Sequence, residues 1–208
     1  MISQFSLIFF KVNLNSILIV DFFAKFIFVF TPSLFFMYFL KYSSANSNFK
    51  EFHKLNIKDY FFVITSIIFL TFSVNLFDEI INLILPQKSI DLLYKFSNNS
   101  QMSEIISFNN SNFVYVIFFV CLSPAIFEEL LFRGYLQYSI ATKFSKFQSI
   151  IITSLIFALL HMDIISFFSI FLLSCVIGFY KEKTNTLFYP ILIHFMNNLF
   201  NVLIFNLN

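Results

Sequence analysis

The sequence predicts an all-α fold: a polytopic membrane bundle of about six transmembrane helices around a membrane-embedded polar cavity. Three observations predict it. The chain is 59% hydrophobic and only 12% charged, about half the charge of a soluble domain, and its mean hydropathy is +0.83. Apolar runs of about 20 residues, the length that crosses a bilayer core, recur along it. Ionisable side chains interrupt those runs at a few places, where each costs about 2.5–3.5 kcal/mol to insert.

The apolar runs fall at roughly 17–40, 60–85, 113–140, 148–162, 164–180 and 187–205. The first is too long for the apolar core of a leader, and Met1–Phe10 lacks a basic stretch, so no cleavable leader is expected. Residues Phe5–Phe10 read as an interfacial turn. The fourth and fifth runs are short and separated only by Met162 and Asp163, which suits a tilted, half-buried or re-entrant segment. Polar connections cover Lys41–Asp59, Gln87–Asn112, Thr142–Phe147 and Lys181–Thr186, and Gln87–Asn112, rich in Asn and Ser, is the expected mobile loop. By length this is one integral-membrane domain over 1–208, with N-terminal helices and loops in 1–112 and the motif-bearing helices in 113–205. No internal repeat is visible.

Lysine placement orients the array. Lys41, Lys50, Lys54, Lys58, Lys143, Lys146, Lys181 and Lys183 fall in three loops that six spans put on one side, against Lys11, Lys88 and Lys95 on the other. A multi-pass cell-membrane protein is expected, with both termini outside and the lysine-rich loops cytoplasmic. The net charge of +2 implies no nucleic-acid partner. Cys121 and Cys175 lie inside apolar runs without metal or redox spacing and read as small buried hydrophobes.

Helical phase sorts the polar positions. Residues four apart share a face, so Glu129 and Arg133 can neutralise each other, while Glu128 is turned about 100° away. Two acids and an arginine could equally mark a helix end at the headgroups, although the apolar Leu130, Leu131 and Phe132 continue the run. His161 closes the fourth run, where an imidazole is more often interfacial or hydrogen-bonded than reactive, and Phe157 one turn earlier would pack beside it. His194 sits within the last run with Asn198 and Asn201 on one stripe, which must face protein or water or serve as interhelical glue. Asp21 and Lys25 form another four-spaced pair, while His53, Asp78 and Glu79 read as solvated.

A spare carboxylate, two imidazoles and a carboxamide suffice to hydrolyse an amide. A desolvated Glu128 can act as general base toward water, an imidazole can orient that water and pass a proton to the leaving amine, and a carboxamide or protonated imidazole can stabilise the oxyanion. The same atoms could instead form a zinc site with an open position, its ligands being Glu128, His161 and His194. A His-Glu-x-x-His helix is absent, so such ligands would come from three helices.

Glu128-Glu129-…-Arg133, Phe157-…-His161 and His194-…-Asn198, in this order, resemble the motifs of the CAAX protease and bacteriocin-processing family, the type II CAAX prenyl endopeptidase relatives: Glu-Glu-x-x-x-Arg, Phe-x-x-x-His and His-x-x-x-Asn. The resemblance covers about Pro124 to Asn201. It implies a membrane-embedded helical bundle and an intramembrane endopeptidase. In that implied site Glu128 is the base, His161 positions water, His194 and Asn198 stabilise the oxyanion, and Glu129, Arg133 and Phe157 support them. It implies no obligatory cofactor, with zinc as the alternative; the expected partners are a membrane-associated protein or peptide substrate and the lipid bilayer. The family's bacterial members tied to bacteriocin immunity or membrane-protein processing point to an unprenylated substrate. A non-catalytic peptide-binding or immunity protein is the alternative, and a proton-coupled carrier, which usually shows internal symmetry, is a third.

Overall fold

The computed structural model describes residues 56–96, 113–161 and 163–207, together with Ile19, Phe22, Phe23, Lys25, Phe26, Ile27 and Thr31 of the first apolar run. Asp21 and His53 lie outside the described residues. The described residues form helices and short connections, with no strand among them.

Helix α1, Ile57–Ile84, starts where Asn56 and Asp59 cap each other: each backbone N–H donates to the other's side chain, at 3.2 and 3.0 Å. Its outward face is apolar, with Phe61, Phe62, Ile64, Ile68, Phe69 and Phe72 exposed. A contiguous exposed apolar surface of that kind suits lipid better than water. The expected mobile loop after α1 is corrected in part, because Gln87–Phe96 forms helix α2. Pro86 offers its carbonyl to Ser89 and Ile90, Gln87 reaches Asp91 one turn on, and Ile90 is buried.

Helix α3, Phe113–Ala141, is long and apolar enough to cross a membrane, with a mean hydropathy of 1.9 over its best window. Among the described residues it alone passes that test; Lys146–Leu160 and Phe188–Ile204 are apolar but shorter. Two stretches of α3, Ile117–Leu122 and Leu130–Leu136, are π-helical, flanking the α-helical Ser123–Glu129. Pro124 lacks an N–H and crowds the preceding turn, which the wider π turn accommodates.

Helix α4, Lys146–Leu160, begins at a capping box in which the Ser145 hydroxyl accepts from the Gln148 N–H and the Ser145 N–H donates to the Gln148 side chain. His161 is its C-cap. Asp163 then accepts backbone N–H bonds from Ile165 and Ser166, leading into helix α5, Phe167–Thr184. Helix α5 runs past the predicted limit at residue 180 and stops at Asn185, whose φ of 54° is the left-handed conformation that Asn tolerates at a helix end. Helix α6 covers Phe188–Leu207.

Interhelical hydrogen bonds give the directions. Arg133 and Gln137 of α3 reach Ser174 and Gly178 of α5, so both helices advance together and run parallel, with α4 returning between them. A side chain on Gly178 would meet Gln137 Oε1 at 3.1 Å and Ile150 Cγ2 at 3.2 Å, which is why glycine stands where these three helices close. One core joins α1, α5 and α6 through Val63, Ile67, Leu173, Ile177, Tyr180, Tyr189 and Ile193; a smaller one joins α3 and α6 through Val116, Cys121 and Val202.

One end of the bundle is tied by charge. Lys183 bonds Asp59 across α5 and α1, Lys146 pairs with Glu182 at 3.6 Å, and Glu182 also accepts from Lys181 and Gln137. The start of α1, the α3–α4 turn and the end of α5 therefore lie together, bringing Lys58, Lys143, Lys146, Lys181 and Lys183 to one end.

Candidate functional site

From the shared turn at residues 142–145, the stretch of α3 back to Glu128 and the whole of α4 are both about 20 Å long at 1.5 Å rise per residue. That match in length brings His161, at the far end of α4, level with Glu128 near the middle of α3. A 15-residue helix falls short of a bilayer core of about 30 Å. In a bilayer, the irregular backbone after it would need to be covered by protein or line a polar space; Asp163 and Ile165 there are buried.

The Glu128 carboxylate divides its oxygens. Oε2 lies 4.0 Å from His161 Nε2 and 4.0 Å from His194 Nε2, while Oε1 faces Lys25 Nζ at 3.9 Å. Oε2 is buried and makes no hydrogen bond among the described residues. Both gaps are too long for a direct hydrogen bond and are of a width that one water could span.

The opposite edge of each imidazole is fixed. His161 Nδ1 lies 2.8 Å from the Phe157 carbonyl oxygen, which can only accept, so Nδ1 carries a hydrogen and Nε2 faces Glu128. His194 Nδ1 lies 2.8 Å from Glu129 Oε1, which orients its ring in the same sense. Glu129 is fully buried, and its Oε1 also binds Arg133 Nη1 at 3.0 Å. Arg133 is fully buried too, donating from Nη2 to the Ser174 carbonyl at 3.0 Å and hydroxyl at 2.7 Å. The Phe157 ring stands 4.5 Å from the His161 ring, 5.8 Å from the His194 ring and 4.8 Å beneath the Arg133 guanidinium.

Glu128, His161 and His194 are thus brought together from three helices, with Glu129, Arg133 and Phe157 packed behind them. Asn198, one turn beyond His194 on α6, is half-buried and accepts a hydrogen bond from Asn197 at 3.5 Å. Sequence reasoning missed Ser174, the partner of Arg133, and the approach of Lys25 to Glu128. A usable signal existed for the first: Ser174, Gly178 and Glu182 repeat the four-residue spacing of Arg133 and Gln137.

A tetrahedral zinc with bonds of about 2.0–2.1 Å places its ligand atoms about 3.3 Å apart. The 4.0 Å spacings around Glu128 Oε2 are wider, and no group of three or more His, Cys, Asp or Glu side chains spaced to hold a metal ion occurs among the described residues. As placed, Glu128, His161 and His194 do not fit that ion.

Residues 110–200 match the family model described as Type II CAAX prenyl endopeptidase Rce1-like, under half of the chain but including every candidate site residue from Glu128 to Asn198. No curated protein and no solved structure matches the chain. The match and the long apolar helix α3 together suggest a membrane protein, and the matched segment is the one whose three motifs resemble that protease family.

Proposed function

We propose that the protein is an intramembrane endopeptidase that cleaves a membrane-associated protein or peptide with water activated by Glu128. The observation that carries this reading is the approach of Glu128 Oε2 to the Nε2 atoms of both His161 and His194, at 4.0 Å each, within a segment matching a protease family. A water seated there gives one hydrogen to Glu128 Oε2 and the other to His161 Nε2, leaving its lone pair for the substrate carbonyl carbon. As the C–O bond forms, negative charge gathers on the carbonyl oxygen, where the Asn198 carboxamide or a protonated His194 can donate. The proton held by Glu128 passes to the departing nitrogen as the C–N bond breaks. The products are an acid and an amine, and the carboxylate is regenerated.

The proposed setting is a multi-pass bundle of about six spans with its lysine-rich end in the cytoplasm. The gathering of Lys58, Lys143, Lys146, Lys181 and Lys183 at one end supports that orientation. The proposed substrate is unprenylated. Comparing new peptide termini in membranes from cells that make the wild-type chain or Glu128→Gln tests the reading. Termini that vanish in Glu128→Gln and in His161→Ala, at equal protein levels, identify the substrate; termini unchanged by both variants rule the mechanism out.

A further inference from the structure

The first apolar run reaches the site through one charged residue. Phe22 packs its ring 5.7 Å from Phe118, 5.4 Å from Phe119 and 5.5 Å from Phe127, and Phe26 adds a contact to Phe127 at 6.1 Å. Four ring pairs at favourable separations seat this stretch of helix against α3. Phe22 and Phe26 are one turn apart, and Lys25 lies between them in sequence. Phe127 precedes Glu128 on α3. The clasp therefore fixes where Lys25 falls, and its Nζ stands 3.9 Å from Glu128 Oε1.

We propose that Lys25 is a positioning residue for Glu128, its ammonium holding Oε1 on the side of the first helix so that Oε2 is left directed at the two imidazoles. Without that cation, no other described residue of the first run is charged to distinguish the two oxygens, and the carboxylate can turn about its last bond, which has a broad torsional profile. Among the described residues, the titratable groups facing Glu128 are Lys25 from the first run, His161 from α4 and His194 from α6, with Arg133 further along α3. Arg133 is committed to Glu129 and Ser174. Lys25 is the lysine that approaches Glu128 among the described residues, and it comes from outside the family-matched segment 110–200.

This inference rests on the proposed protease chemistry, so its test has an arm that needs no substrate. In the first arm, thermal unfolding is measured for wild type, Lys25→Met, Glu128→Gln and the double variant in the same lipid nanodisc. Contact predicts that Lys25→Met lowers the midpoint in the wild-type background and has a smaller or opposite effect in Glu128→Gln. Additive shifts overturn the contact whatever the protein's activity.

In the second arm, cleavage of a synthetic peptide bearing the termini found above is followed. Lys25→Met is expected to lower kcat by about 100-fold, the scale of a misplacement of about 1 Å, with KM changed less than about twofold. Lys25→Arg restores most of the rate. Wild-type kcat in Lys25→Met, or no rescue by arginine, overturns the positioning role. If Glu128→Gln itself cleaves normally, the proposed base falls and the role of Lys25 falls with it, while the unfolding arm still reports the contact.

Discussion

Glu129 Oε1 serves two partners at once: Arg133 Nη1 at 3.0 Å and His194 Nδ1 at 2.8 Å. A single buried oxygen therefore joins the charge-neutralising pair on α3 to the orientation of an imidazole on α6. The acid beside the proposed base neutralises Arg133 within the helix and orients the His194 ring, and the two roles can be separated by substitution.

Removing only the charge of Glu129 leaves Arg133 buried without its counterion. Glu129→Gln is expected to destabilise the fold by about 3–5 kcal/mol, the usual cost of breaking one side of a buried pair. Glu129→Gln with Arg133→Met should recover part of that loss while cleavage stays impaired, because His194 is still misdirected. Thermal unfolding in nanodiscs alongside cleavage rates checks both halves; a stable, fully active Glu129→Gln contradicts the linkage.

Ser174→Ala deletes one of the bonds holding the guanidinium and keeps the other, since the Ser174 carbonyl remains. A hydrogen bond to a charged group is worth about 1.5–3 kcal/mol, so a loss near the lower end is expected, with a lowered melting temperature. Cleavage should fall far less than in His161→Ala.

Phe157 contributes its ring and its carbonyl separately. Phe157→Leu keeps the carbonyl that fixes His161 Nδ1 but loses the ring beneath Arg133, and should reduce stability more than kcat. Phe157→Ala should cost about 3–5 kcal/mol. A collapse of kcat in Phe157→Leu with unchanged stability contradicts this division.

Lys183 bonded to Asp59 holds that carboxyl below its usual value of 3.8. Burial opposes the shift, and the Asn56 backbone and the Tyr180 hydroxyl assist it. The folded-state value is below the unfolded one. The contribution of Asp59 to stability is therefore present above the unfolded value and is lost as pH falls through the folded one. Melting temperature followed down from pH 5 should show an acid-side loss that is smaller in Asp59→Asn.

The 4.0 Å spacings around Glu128 Oε2 predict that cleavage survives chelation and that purified protein holds less than one equivalent of zinc. Metal analysis with activity after chelator treatment checks it. Loss of activity restored by Zn²⁺ would show that the three donors close onto a metal.

The helical phase of Glu128, Glu129 and Arg133 was legible because it depends only on local geometry, and the ion pair at 3.0 Å lies where phase put it. The shortness of the fourth run was legible too, though not its effect of bringing His161 level with Glu128, which needs the direction of α3. The approach of Lys25 to Glu128 was hidden because the two are distant in the chain, whereas the pairing of Ser174 with Arg133 left only the matching four-residue spacing on α5. Helix α2 escaped notice because its Asn- and Ser-rich continuation masked a ten-residue helical pattern. The π-helical stretches of α3 left no local signal beyond Pro124.

Glu128 and Glu129 face Lys25 and Arg133, so the formal charges of these four described residues sum to zero. A balanced island of this kind enters hydrocarbon as a set of dipoles rather than as an ion, which lowers its transfer cost. The same balance couples the first apolar run to the family-matched segment, because losing either member of the Lys25–Glu128 pair shifts the charge of the cluster by one unit. Substitutions at these four positions are therefore tolerated in matched pairs sooner than singly, and a homologue lacking the lysine should lack the need for it, by carrying its cation elsewhere around the same carboxylate.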